Sequence, residues 1–128
     1  MRSVVITGAS TGIGWATSRR LLERGFGVFG SVRKQADAER LKAEFGANFT
    51  PLLLDVTDEA AVLAAAGKVR AALNGKTLAG LVNNAGIAVA GPVLELPAGE
   101  FRRQMEVNVI GLSSSPRRSA RCSDPTRR

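Results

Sequence analysis

Apolar runs and helix-spaced apolar positions alternate regularly from the N-terminus to Leu112. Residues 4–7 form a short apolar run that predicts a buried strand. From Gly12, small or apolar residues at Ile13, Ala16, Thr17 and Leu21 predict a helix ending near Gly25. Residues 26–32 read as a second strand. Residues 36–45 read as a second helix, with Leu41 and Phe45 one turn apart and Gly46 as its stop. Residues 49–54 form a third strand, compatible with Pro51 near its start. Asp58 and Glu59 favour a helix N-terminus, and Val62, Ala65, Ala66, Val69, Ala72 and Leu73 continue it to Asn74-Gly75. Residues 78–82 are a fourth strand. After a turn-rich stretch containing Gly91 and Pro92, Pro97 suits a first helical turn, followed by a stripe at Phe101, Met105, Val109 and Leu112.

Continuously apolar strands separated by helices imply right-handed crossovers and a parallel sheet covered on both faces. The fold expected is α/β, a doubly wound parallel sheet of about four strands in the order 3-2-1-4, with its ligand crevice where the order reverses. Residues 1–112 make up this unit. Residues 113–128 carry no helical stripe and read as a separate basic tail without structure.

At 128 residues with 45% hydrophobic and 23% charged side chains, the chain is one ordinary globular domain in size and composition. No stretch approaches a membrane span, and the short N-terminus before Gly8 lacks the apolar region of a signal peptide, so a cytoplasmic location is expected. The single cysteine, Cys122, excludes an internal disulfide, and there is no histidine and no tyrosine. The net charge of +7 would suit nucleic acid, but five arginines and one aspartate after Leu112 account for four of those charges. No aromatic residue interleaves with these arginines, so a base-stacking surface is missing and no nucleic-acid partner is expected.

Chemistry concentrates at Ile6-Thr7-Gly8-Ala9-Ser10-Thr11-Gly12-Ile13-Gly14. A strand that turns through glycines into a helix brings unpaired N–H groups and a positive dipole end to one point, a seat for phosphate. Taken alone, the spacing G-x-x-x-G-x-G also allows a plain glycine turn. Three further motifs follow in order: Asp55-Val56, Asn83-Asn84-Ala85-Gly86 and Asn108-Val109-Ile110-Gly111. Together the four resemble the N-terminal half of the short-chain dehydrogenase/reductase family, from about Arg2 to Leu112, which implies a Rossmann-like fold.

The resemblance implies that Gly8, Ser10, Thr11, Gly12, Ile13 and Gly14 cradle the phosphates of a dinucleotide, with Trp15 beside the pyrophosphate. It places Asp55, with Val56, at the adenine. The Asn83-Asn84-Ala85-Gly86 motif braces the sheet, with Asn83, Ala85 and Gly86 on the ribose and nicotinamide side, and Asn108 helps hold a catalytic water. Each has a plainer alternative: a helix-entry acid for Asp55, a turn for residues 83–86 and a buried structural amide for Asn108. No acid occurs between Phe26 and Ala36, whereas Arg33 and Lys34 can pair with a 2′-phosphate. NADP is therefore the expected cofactor, with NAD the alternative. Thr11 stands where many NADP-preferring relatives carry a basic residue.

The resemblance implies three further residues: a serine, a tyrosine that is the general acid or base, and a lysine that lowers its pKa and holds the ribose. This chain has no tyrosine, and its last lysine is Lys76. The sequence therefore predicts a cofactor-binding half of an enzyme acting on an alcohol or carbonyl substrate, itself inactive; a non-catalytic dinucleotide-binding module is the alternative. A one-base frameshift near Leu112 and Ser113 would account for the tail, because the shifted codons permit three apolar residues and then Thr-Gln-Ala-Phe-Arg-Pro-Leu-Leu-Gly, which continues the helix. Ending after the fourth strand leaves an open apolar edge, so a marginal, association-prone product is expected in place of the family's usual homo-oligomer.

Overall fold

The structure, a computed structural model, describes residues 1–86 and 94–111. Gly91, Pro92, Leu112, the 113–128 tail and the Phe101 side chain lie outside this description.

The run Val4-Val5-Ile6 becomes the second strand from one edge of a four-stranded parallel sheet. Strand β1 (Ser3–Ile6) pairs with β2 (Gly27–Val32) on one side and with β4 (Gly80–Val82) on the other; β3 (Phe49–Leu53) lies outside β2. The spatial order is β3-β2-β1-β4, as expected for a doubly wound sheet. Pro51 is tolerated because, among the described residues, β3 pairs on one side only.

Side chains alternate across a strand, so β1 feeds two cores. Val4 and Ile6 join Val28, Val32, Leu41 and Phe49 on the face covered by helices α1 (Gly12–Glu23) and α2 (Gln35–Phe45). Val5 joins Phe29, Leu52, Val69 and Leu73 on the opposite face, under helix α3 (Glu59–Leu73). Asp58 caps α3 by accepting the Ala61 N–H at 3.1 Å, and Asn74 ends it in the left-handed conformation.

Two expectations need correcting at the C-terminal end. The fourth strand begins at Gly80 and not at residue 78; Leu78 is buried beneath α3 as a packing residue ahead of the ladder. The last helix, α4 (Ala98–Met105), uses Pro97 as its N-cap and then widens into a π-turn over Glu106–Gly111. The wider turn breaks the 3.6-residue phase. Met105 and Val109, read from the sequence as an inward stripe, are more than half exposed, while Val107 and Asn108 are half-buried.

Glycine matters at Gly30, where a Cβ would lie 2.6 Å from the Phe49 ring and 2.8 Å from the Ala9 Cβ. Gly67, exposed on α3, has nothing within 4 Å of such an atom. Gly30→Ala is expected to destabilise the fold by about 1–3 kcal/mol through overpacking, and Gly67→Ala to stabilise it by about 0.5–1 kcal/mol through helix propensity. Urea unfolding midpoints that move in opposite directions would bear this out; midpoints that move together would not.

Candidate functional site

The chain leaving β1 is fastened to the chain leaving β4. Thr7 is buried, and its Oγ1 accepts the backbone N–H groups of Asn84 at 2.9 Å and Ala85 at 3.0 Å. The hydroxyl proton has two acceptors within reach, the Val82 carbonyl at 3.5 Å and Asn83 Oδ1 at 3.4 Å. The Asn84 carboxamide answers from the other side: its Nδ2 donates to the Thr7 carbonyl at 3.2 Å and to the Gly8 carbonyl at 3.1 Å. From β2, Ser31 Oγ accepts the Gly8 N–H at 2.9 Å and the Ser31 carbonyl accepts the Ala9 N–H at 2.9 Å.

Around this clamp glycine is required at three places, by backbone conformation or by lack of room. Gly8 and Gly12 have φ of +69° and +59°, a region that costs an L-residue strain. A Cβ on Gly14 would collide with the Gly8 carbonyl oxygen and lie 2.6 Å from Asn84 Nδ2. Helix α1 therefore starts in contact with the end of β1. Its N-cap residue, Thr11, makes no side-chain capping bond, and its first turn holds no acid, so the helix start is suited to an external anion.

A cleft of about 360 Å³ opens beside this turn, above the C-terminal ends of the strands. Of the residues predicted from sequence, Gly8, Ser10, Thr11 and Arg33 line one part of it, and Asp55, Val56, Ala85 and Gly86 another. Gly12, Ile13, Gly14 and Asn83 shape the turn and its clamp without lining the cleft, and Ile13 is 76% exposed. Asn108 stands against Gly86, where a Cβ would meet its Oδ1 at 2.9 Å, and its neighbour Val107 reaches the wall.

Sequence reasoning missed three polar residues of this wall. Ser31 is the lone hydroxyl in an otherwise apolar strand, which was its signal. Asn84 was quoted within its motif, but nothing in the sequence separates it from Asn83. Asp37 lies one position beyond the acid-free stretch from Phe26 to Ala36, yet it lines the cleft near Arg33 and Lys34. Trp15 requires a correction. Its ring packs on Phe45 with centroids 5.9 Å apart, with the Arg19 guanidinium 5.8 Å above it, and it does not line the cleft. One residue along a helix is a rotation of about 100°, which turns Trp15 from the Gly8 side into the groove between α1 and α2.

Asp55 is exposed beyond the end of β3 and accepts the Thr57 N–H at 2.9 Å and the Thr57 hydroxyl at 2.8 Å. The backbone bond from Thr57 does most to lower its pKa below the usual 3.8; desolvation opposes this, and the Thr57 hydroxyl bond and the positive charges of Arg33 and Arg103 lower it further. Among the described residues, no helix is long and apolar enough to cross a membrane.

Two outcomes are expected. Thr7→Val leaves two strand-end N–H groups without their acceptor and should lower stability by about 2–4 kcal/mol, while Thr7→Ser should lose far less; equal losses in urea unfolding would contradict this role of the hydroxyl. Asp55 stabilises the folded chain while ionised, an effect present above its unfolded pKa and lost as pH falls through the depressed folded value, below about pH 4. The stability difference between the parent chain and Asp55→Asn should shrink on acidification through that range, as followed by thermal unfolding against pH.

The family profile for short chain dehydrogenase matches residues 2–121. The chain is 44% identical over 110 residues to an NADPH-dependent 3-dehydrocapnine reductase of Ornithobacterium rhinotracheale, covering 86% of this chain and 39% of that protein. It is 33% identical over 111 residues to a serine 3-dehydrogenase of Rhizobium radiobacter, covering 86% of this chain and 44% of the relative. The chain thus spans less than half the length of these curated relatives. Among solved structures, a 3-ketoacyl-(acyl-carrier-protein) reductase of Brucella melitensis complexed with NADH superposes with a TM-score of 0.80 at 35% identity, over 91% of this chain and 47% of that one. Serine dehydrogenase from Escherichia coli superposes with a TM-score of 0.85 at 29% identity, over 94% and 55%.

Proposed function

The chain belongs to the short chain dehydrogenase family, and we propose that it is the cofactor-binding part of an NADP(H)-dependent oxidoreductase acting at an alcohol or carbonyl carbon. One observation carries this: a helix start without a side-chain cap or an acid, pressed against a glycine turn, beside a cleft that also holds Arg33, Lys34 and Asp55. An anion at that turn meets backbone N–H groups and the positive end of α1. We assign the diphosphate to Gly8, Ser10, Thr11, Gly12, Ile13 and Gly14, and the adenine to Asp55 and Val56. The remaining length of the dinucleotide passes Ala85 and Gly86, with Asn83 bracing the turn through Thr7 and Asn108 contributing from behind Gly86. When bound, the nicotinamide supplies the hydride donor or acceptor.

Arg33 and Lys34 line the cleft just beyond β2, and a pair of cations there suits a 2′-phosphate, which supports NADP(H) over NAD(H). Proton transfer is a different matter. It needs a group of suitable pKa within reach of the substrate oxygen, and this chain has no tyrosine and no histidine. That composition favours binding without turnover by these 128 residues, with catalysis belonging to the longer relatives' architecture.

Calorimetric titration tests the assignment. NADP⁺ should bind more tightly than NAD⁺, and Arg33→Ala should reduce that preference about tenfold by removing a charge-assisted contact. Tighter binding of NAD⁺, with a ratio indifferent to Arg33→Ala, would overturn the cofactor assignment. Measurable turnover with a panel of alcohols and carbonyls would overturn the expectation of binding alone.

A further inference from the structure

Arg40 lies on α2, three residues beyond Asp37, and its guanidinium reaches back to the glycine turn. Nη2 donates to the Ser10 carbonyl at 2.6 Å and stands 3.4 Å from Asp37 Oδ1, while Nη1 lies 3.6 Å from Glu44 Oε2. Ser10 and Asp37 both belong to the cleft wall, so one side chain outside the cleft touches two parts of it.

Asp37 poses a problem for a 2′-phosphate. A carboxylate near the end of the second strand accepts a hydrogen bond from a ribose 2′-hydroxyl and repels a phosphate at the same place. The Asp37 side chain is 31% exposed, so its charge is felt inside the cleft. Arg40 is the cation within ion-pair distance of it among the described residues. Resting on the NADP(H) reading above, we propose that Arg40 is a positioning residue that sets the choice between 2′-phosphate and 2′-hydroxyl, by compensating Asp37 and by tying the glycine turn to α2.

Nη2 makes both contacts; lysine would keep the positive charge beside Asp37 but lose the planar, fixed donor geometry that seats the Ser10 carbonyl. The bond to the Ser10 carbonyl holds the turn for either dinucleotide. The pairing with Asp37 matters only when the incoming group is anionic at the 2′ position. Loss of Arg40 therefore has a common component, seen with both cofactors, and a selective one, seen with NADP⁺. Both partners are partly exposed, which keeps the selective component small.

The experiment is calorimetric titration of the full 128-residue chain and its variants with NADP⁺ and NAD⁺ at low salt. Arg40→Met should weaken both cofactors and lower the NADP⁺:NAD⁺ affinity ratio about fivefold. Adding Asp37→Asn to that variant should restore the ratio but not the overall affinity, which a merely structural role of Arg40 would not produce. Arg40→Lys should keep the ratio while losing affinity for both. An unchanged ratio in Arg40→Met overturns the inference and leaves the cofactor reading standing if the parent chain prefers NADP⁺; a parent chain that binds neither dinucleotide overturns both. If Arg40→Met fails to fold, Asp37→Asn alone decides: with Arg40 in place it should raise the ratio by no more than about twofold, and a rise of fivefold or more would show that Arg40 does not compensate the carboxylate.

Discussion

One hydroxyl and one carboxamide hold the working end of this sheet together. Thr7 Oγ1 gathers two N–H groups from the chain leaving β4, and Asn84 Nδ2 returns two bonds to the carbonyls of Thr7 and Gly8. These groups are partly buried, where an unmade hydrogen bond is costly, so the two strand ends are fixed at one separation. The position of the Gly8 carbonyl follows, and with it the requirement that α1 begin with an atom missing at Gly14. The cleft's shape is thus inherited from the sheet and not from the loops alone.

The clamp also divides labour within the site. Residues that shape the turn, such as Gly14 and Asn83, are distinct from those that face the cleft, such as Ser10, Arg33 and Asp55. On the opposite wall the π-turn brings Asn108 against Gly86, where a side chain would not fit. Positive and negative groups are interleaved along the β2 and β3 ends, with Arg33 and Lys34 set against Asp37 and Asp55. The balance of charge there is fine enough that one guanidinium outside the cleft has leverage.

The strand order and the location of the cleft were legible because continuous apolar runs and glycine punctuation report backbone topology directly. What was not legible depended on phase. Asn83 and Asn84 are chemically identical neighbours, and only the direction of the chain leaving β4 decides which carboxamide turns back toward Gly8. Trp15 follows Gly14 in sequence but points into the groove beside Phe45, because a helix rotates each residue away from the last. Met105 and Val109 fit a 3.6-residue stripe, yet both are more than half exposed, Met105 ahead of the π-turn and Val109 within it. Asp37 was missed for a simpler reason: the carboxylate relevant to the end of β2 is carried by the helix that follows the strand.

The clamp joins residues 76 to 78 positions apart. A chain synthesised from its N-terminus can pair β1 with β2 and β2 with β3, and can pack α1 and α2 over them, before Asn84 exists. Until then the Gly8 carbonyl lacks its carboxamide partner and the two N–H groups that will meet Thr7 have not been made. Closing so long a span is also among the slower steps of folding. The oldest part of the chain to emerge therefore waits for β4 before it acquires its final shape, and a well-formed glycine turn reports that β4 has taken its place in the sheet.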